Sequence, residues 1–423
     1  MIAELYSRFS HAKGVTIDNR TISGGEMFFG LRGEKVNGGM FAGEALQKGA
    51  SCCVVDDAQY ATDSNIILVP DALLAMQELA AHYRSKWQFP VLALTGSNGK
   101  TTTKELIAAV LSKKYRTYAT KGNLNNHIGV PLTILNIGAD CEFAVIEMGA
   151  NHQGEIASYC KYADPDFGLI TNIGLAHLEG FGGIEGVAKG KSELYQYIIK
   201  KDGVIFWNSN QERLTDIAKT YARTVRYGTN PEDYTIGIID ETATMATVVI
   251  DDEIKISSHL VGAYNADNII AAACIGKYFD VSYGEIQEAV ENYIPANNRS
   301  EHREINGNYF ILDAYNANPS SMRVALENFA KISAQKKVII IGDMLELGTY
   351  SADEHKQILD IALHSKFDHI VTVGPQFHHI RRDPVIACHN SDEARQWFLA
   401  QQFREATILL KGSRGMKLEK IIQ

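Results

Sequence analysis

PVLALTGSNGKTTTKELIAAVLSKK, residues 90–114, passes from a continuous apolar run through a glycine turn into a helical pattern. The run Val91–Leu94 is that of a strand buried on both faces, and Gly96 breaks it. Beyond the turn, Leu106, Ile107, Val110 and Leu111 recur at the spacing that gathers them on one helical face. Strand, glycine turn and helix in that order build a phosphate cradle. Gly96 and Gly99, on either side of Ser97 and Asn98, let backbone N–H groups approach phosphate oxygens, and the helix N-terminus adds a favourable dipole. Lys100 brings an ammonium to the β- and γ-phosphates, the Thr101 hydroxyl falls to Mg²⁺, and Thr102, next in the helix, is counted with residues 96–101 as ATP-binding. The general pattern has a glycine five residues before Gly99, where this chain has Leu94. The competing reading is an ordinary glycine turn with a stray lysine; the agreement of strand, glycines, Gly-Lys-Thr and helix outweighs it.

Outward from this segment the chain divides into three blocks. A length of 423 residues at about 150 residues per domain gives two to three domains. Residues 1–83 mix short apolar runs with glycine turns: FAGEALQKGASCCVVDD (41–57) reads as a short helix stopped at Gly49 and then a strand. LLAMQELAAHYRSKW (73–87) reads as a helix with Leu74, Leu79 and Ala81 apolar, leading out of this block. Residues 84–296 add the strand candidates FAVIEM (143–148), FGLITN (167–172) and GVIFWN (203–208) with helices between them. Residues 297–423 repeat the rhythm with YFILDA, KVIIIGD, HIVTVG and ATILLKG. The expected fold is α/β in three domains: a small N-terminal α/β domain, a central P-loop domain with a mostly parallel sheet, and a C-terminal Rossmann-like domain.

Composition narrows the class. With 45% hydrophobic residues and 22% charged, the chain has the material for real cores and is not a disordered protein. A formal charge of -9 argues against a nucleic-acid binder or a polybasic membrane binder, while leaving room for an anionic small substrate. The six cysteines form no CxxC pair, which argues against zinc and against a disulfide framework. No signal segment and no apolar run of membrane-spanning length is present, so a soluble cytoplasmic protein is expected, and nothing requires more than a monomer.

Further candidates stand at strand ends. Glu147 closes FAVIEM, where a carboxylate beside a P-loop can take Mg²⁺; His177, in TNIGLAHLEG, falls at the same carboxyl edge of the sheet. Alone, a histidine there is more often a hydrogen-bonded structural residue; with Glu147 it makes a metal site. Lys191, in VAKGKSELYQY, reads from its residues alone as a solvated lysine on a helix face. Asp313 ends YFILD ahead of AYNANP, a turn by composition in any case.

Taken together, TGSNGKTT, NLNNHIGVPLTIL, EMGANHQGEI, NIGLAHLEGFGG, AKGKSEL, GAYNADNIIAA, DAYNANPSSM and GDMLELG occur in the order seen in the Mur ligases. The sequence resembles that family over essentially its whole length, most densely over residues 91–348. DNRTISGGEMFFGLRGEKVNGG (18–39) looks like the family's nucleotide-sugar-binding segment, with Asn19 where a serine is usual. The resemblance implies an ATP-dependent amide ligase of peptidoglycan precursor synthesis, using Mg²⁺ and joining D-alanyl-D-alanine to a UDP-N-acetylmuramoyl-tripeptide. The diaminopimelate-adding relative carries a DNPR motif absent here, and folylpolyglutamate synthetase reads GKGS where this chain has GKTT. The alternatives are another Mur-type ligase with a different acceptor, a P-loop NTPase switch, and a non-catalytic nucleotide-binding module.

Residue roles follow from the resemblance. It implies a carbamylated Lys191 that holds a second Mg²⁺ with His177, both counted with Lys100 as catalytic, while Thr101 and Glu147 hold the first. It assigns Asn268 to adenine, and Arg299 and Asp313 to ATP from the third block. Asn123, Asn125 and Asn126 resemble the positions that hold the muramoyl-peptide, Asn19, Arg20 and Thr21 the nucleotide-sugar end. Tyr315 and Asn316, in DAYNANP, join the substrate-binding set. Lys411 and Arg414, in KGSRGM, either meet the dipeptide carboxylate or are surface basic residues.

Overall fold

Alternation along strand Val91–Thr95 sets the architecture. Val91 and Ala93 face an apolar cluster with Ile156 and Leu194, while Leu92 and Leu94 face another with Leu106 and Ile269. A strand loaded on both sides needs helices on both sides, as the continuous apolar run predicts. The computed structural model describes residues 1–295 and 299–423; the expected boundary at 296/297 lies outside the described residues.

Among the described residues there are three sheets. The central one has nine strands in the order Ile254–Val261, Met245–Ile250, Thr235–Ile239, Thr224–Gly228, Val204–Asn208, Phe167–Ile170, Val91–Thr95, Phe143–Glu147, Thr117–Ala119. The strands from Thr117–Ala119 through Thr235–Ile239 are parallel, so their carboxyl ends share one edge. The other two form an antiparallel extension turning at Asp251 and Asp252, both at positive φ (53° and 57°). Helix Lys100–Leu111 packs against helix Ala266–Tyr278 over the second cluster.

The N-terminal sheet has four parallel strands, Val15–Thr16, Met27–Gly30, Cys52–Val55 and Ile66–Leu68. The expected helix after it spans Ala72–Arg84, capped by Asp71, whose carboxylate accepts the Leu74 N–H. Its buried stripe is Ala72, Ala75, Met76, Leu79 and Ala80. Leu74, expected on that face, is 51% exposed, because it falls between turns of the stripe, and Ala81 is only half-buried. The expected boundary at 83/84 falls in this helix's last turn. There buried Arg84 donates to Ala163 O (3.0 Å) and Asp164 O (2.7 Å) and pairs with Asp166 (3.0 Å), tying the helix end to the central sheet.

The C-terminal sheet runs Glu301–Ile305, Asn308–Asp313, Ala406–Lys411, Lys336–Gly342, His369–Val373, Ile386–Cys388; its first strand is antiparallel and the rest are parallel. The register sets Asp313 beside Lys411 at the carboxyl edge. Among the described residues no helix is long and apolar enough to cross a membrane.

Candidate active site

The carboxyl edges of the central and C-terminal sheets face one cavity of about 700 Å³. The glycine turn forms one wall, and both of its glycines are required. Gly96 lies at φ +151°, where a Cβ would sit 1.9 Å from Thr171 Oγ1; at Gly99 (φ +77°) a Cβ would come within 2.6 Å of Asn268 Oδ1. Gly99 is also the N-cap of helix Lys100–Leu111 and offers no side-chain acceptor, so the first-turn N–H groups are left for an anion. The loop is braced from the next strand: Asn98 N–H donates to Asn172 Oδ1 (3.0 Å), and the Thr171 hydroxyl donates to Asn98 O (2.6 Å).

Lys100 folds back onto its own loop, donating to Gly96 O (2.7 Å) and Ser97 O (3.3 Å). These carbonyls satisfy the ammonium where the phosphates would otherwise stand. Burial pushes the pKa of this amine down, the Glu147 carboxylate opposes that shift, and Arg299 adds to it.

Thr101 and Glu147 meet as expected. The hydroxyl lies 3.1 and 3.0 Å from the two carboxylate oxygens, and Asn125 Nδ2 donates to Glu147 Oε1 at 2.7 Å. Glu147 is 1% exposed, so it needs a nearby cation. Lys104, also buried, provides one at 3.9 Å while donating to Thr120 O. Sequence reading passed over Lys104. Its spacing four residues after Lys100 was visible, but its burial against the neighbouring strand was not.

The other expected residues divide into three groups, with Lys191 apart from all of them and outside the cavity lining. Ser97, Asn98, Thr102, Asn123, Asn126, Asn268, Arg299, Asp313, Tyr315, Asn316, His177 and Lys411 line the cavity. Several already have partners: Asn268 Oδ1 accepts the Thr103 hydroxyl (2.9 Å), Asn126 Oδ1 accepts the Gly129 N–H (2.8 Å), and Arg299 stacks on Tyr315 at 3.6 Å. Lys411 is 2% exposed and ion-paired to Asp313, so it is not a surface cation. Arg414, exposed, lies outside the cavity, 5.4 Å from the Tyr315 ring. Asn19, Arg20 and Thr21 are also outside it, on the N-terminal domain, with Arg20 paired to Asp18.

Lys191 overturns the solvated-lysine reading. It is 0% exposed on helix Ile184–Lys200, its Nζ has no hydrogen-bond partner among the described residues, and it sits 5.5 Å from the Phe181 ring centroid. Desolvation, reinforced by the charge of Lys100, drives its pKa well below that of an ordinary lysine. His177 Nδ1 is engaged by the Glu346 carboxylate from the C-terminal domain. Among the described residues no three His, Cys, Asp or Glu side chains cluster to hold a metal.

Three family domains match along the chain: the Mur ligase family catalytic domain over residues 11–84, the Mur ligase middle domain over 94–276, and the Mur ligase glutamate ligase domain over 298–414. Over 423 residues the chain is 33% identical to the UDP-N-acetylmuramoyl-tripeptide–D-alanyl-D-alanine ligase of Bacillus subtilis (strain 168), covering 97% of this chain and 92% of that one. The chain belongs to the Mur ligase family. Among solved Mur ligases, MurF from Acinetobacter baumannii superposes with a TM-score of 0.87 at 29% identity, covering 98% of this chain and 97% of that one. MurF ligase from Thermotoga maritima, in complex with ADP, gives 0.84 at 25% identity, covering 98% and 96%.

Contacts between domains complete the site of this Mur ligase. Asn318 Nδ2 donates to Asn98 Oδ1 (2.7 Å), so the C-terminal domain touches the phosphate loop itself, and Leu175 N–H donates to Ser320 Oγ (2.9 Å). AYNANP was legible as a turn, but its docking on the loop was not.

Proposed function

We infer that this chain is a monomeric, cytoplasmic, ATP-dependent ligase that joins D-alanyl-D-alanine to a UDP-N-acetylmuramoyl-tripeptide. The products are the pentapeptide precursor of peptidoglycan, ADP and phosphate. Relatives carrying this activity in their names align over nearly the whole chain, and an ADP complex is among the structural neighbours. One observation carries the reading: a single cavity gathers the phosphate loop, the Thr101–Glu147 pair and, from another domain, Arg299 and Asp313.

A carboxylate resists amines because its charge suppresses electrophilicity and it lacks a leaving group. Its oxygen therefore attacks the γ-phosphorus of ATP, breaking the bond to the β-phosphate oxygen and giving an acyl phosphate and ADP. The dipeptide amine then attacks the acyl carbon, loses a proton and expels phosphate. The first step brings two anions together, so charge neutralisation dominates it. Lys100 would leave its two carbonyls for the phosphates, and Arg299 would approach from the C-terminal side. Asn123, Asn125 and Asn126 would hold the muramoyl-peptide, Asn268 the adenine, and Asn19, Arg20 and Thr21 the nucleotide-sugar end. Domain closure would exclude the water that hydrolyses acyl phosphates.

Thr101 and Glu147 present hard oxygen donors 3.0 Å apart, which fits Mg²⁺; bound there, the ion would neutralise charge on the phosphates. The orphaned Lys191 amine fits carbamylation. Burial favours its neutral form, whose lone pair can add to CO₂ with loss of one proton, and the resulting carbamate would hold a second Mg²⁺ with His177. The test is phosphate release with ATP and Mg²⁺, with and without both acceptors, and mass detection of the joined product. Acceptor-dependent release with product supports the ligase; acceptor-independent release without product supports an NTPase switch.

A further inference from the structure

GDMLELG, residues 342–348, is a motif that the reaction scheme leaves unused. In the structure it is a fastened loop. Buried Asp343 accepts the N–H groups of Gln376 (2.8 Å) and Phe377 (3.0 Å), and Met344 N–H donates to His355 Nε2 (3.0 Å). Leu345 N–H donates to Ser413 Oγ (3.0 Å), and Met344 and Leu347 are buried. Held between these anchors, Glu346 adopts φ +62°, a left-handed conformation that a residue with a Cβ rarely takes. It faces His177, itself at φ +54°. Two non-glycine residues from different domains, both in strained backbone, meet side chain to side chain, and Glu346 O also accepts the Glu179 N–H at 3.4 Å. Strain of this kind persists where the surroundings over-determine it, and it concentrates at functional sites.

We propose that Glu346 is the positioning residue for His177. Its carboxylate holds Nδ1, fixing the ring's orientation and tautomer and leaving Nε2 as the nitrogen free for a divalent ion or phosphate oxygen in the cavity. Since the carboxylate arrives from the C-terminal domain, His177 is oriented only while that domain is docked, which ties the chemistry to closure. This rests on the reading of His177 as a site residue.

Three variants test it. Glu346→Gly removes the carboxylate and suits the left-handed backbone, Glu346→Gln keeps an acceptor for Nδ1–H, and His177→Ala tests the underlying reading. The readouts are ¹⁵N-histidine NMR, with the His177 signals assigned by their loss in His177→Ala, and acceptor-dependent phosphate release, with melting temperature as the folding control. Expected are a fixed Nδ1–H ring in the wild type, an averaged ring in E346G with kcat down roughly 10- to 100-fold, and recovery of most of both in E346Q. An unchanged ring spectrum or unchanged kcat in E346G overturns the proposal, as does a loss in E346Q equal to that in E346G. Wild-type turnover by His177→Ala overturns the reading beneath it and the proposal with it. An inactive His177→Ala beside a normal E346G overturns the proposal alone.

Discussion

Replacing Lys191 with methionine should make the protein more stable and inactive. The wild-type amine is fully buried without a hydrogen-bond partner, and methionine keeps the chain's length and volume while placing sulfur near the Phe181 ring. Removing an unsatisfied buried polar group recovers about 1–3 kcal/mol, more if it is charged. The pH dependence makes the prediction specific. Lys191 has a folded-state pKa well below the ordinary 10.5, so between those two values the unfolded chain holds the proton and the folded chain does not. Wild-type stability then rises with pH, and the variant's advantage shrinks by up to about 1.4 kcal/mol per pH unit. The narrowing runs over the whole span between the lowered folded value and 10.5. Urea unfolding read from Trp207, in the central sheet, with Trp87 and Trp397 changed to phenylalanine, measures this in the domain concerned. Bicarbonate should stabilise the wild type and leave the variant unmoved, because only the lysine can form a carbamate. A methionine variant less stable at pH 7.5, or a difference that does not vary with pH, would refute the claim that this amine is buried without a partner.

Lys104→Met strips buried Glu147 of its neighbouring cation and should cost about 3 kcal/mol in urea unfolding; a loss under about 0.5 kcal/mol would show that Thr101 and Asn125 suffice. Asn318→Asp keeps the oxygen that caps helix Pro319–Lys331 but removes the donor to Asn98. The lost bond and the new carboxylate facing the phosphates both oppose nucleotide, so the KM for ATP should rise by more than about 10-fold. Lys100→Ala forfeits two charge-assisted bonds to loop carbonyls, about 3 kcal/mol, and should abolish phosphate release in a protein that still melts cooperatively.

What the sequence disclosed was local. Val91–Thr95, the glycine turn and Lys100–Leu111 are contiguous, and each follows from spacing and backbone chemistry, so the phosphate loop and its strand were legible. Helix Ala72–Arg84 was legible in extent but its face was misjudged: Leu74 is the larger residue, yet Ala75, Met76, Leu79 and Ala80 form the continuous stripe. The Asp313–Lys411 pair depends on two strands becoming neighbours across 98 residues of chain, and no local pattern announces that. Lys191 looks like any lysine on a polar helix until the packing around Phe181 removes it from water. Glu346 was visible within a motif, but its partner belongs to another domain.

An acyl phosphate would carry one carboxylate oxygen into the released phosphate. The direct measurement uses a tripeptide substrate labelled with ¹⁸O in its terminal carboxyl group and follows the label by mass spectrometry of the released phosphate. One labelled oxygen in each phosphate, appearing only when the pentapeptide forms, is the predicted result. Product formation with unlabelled phosphate would contradict the account.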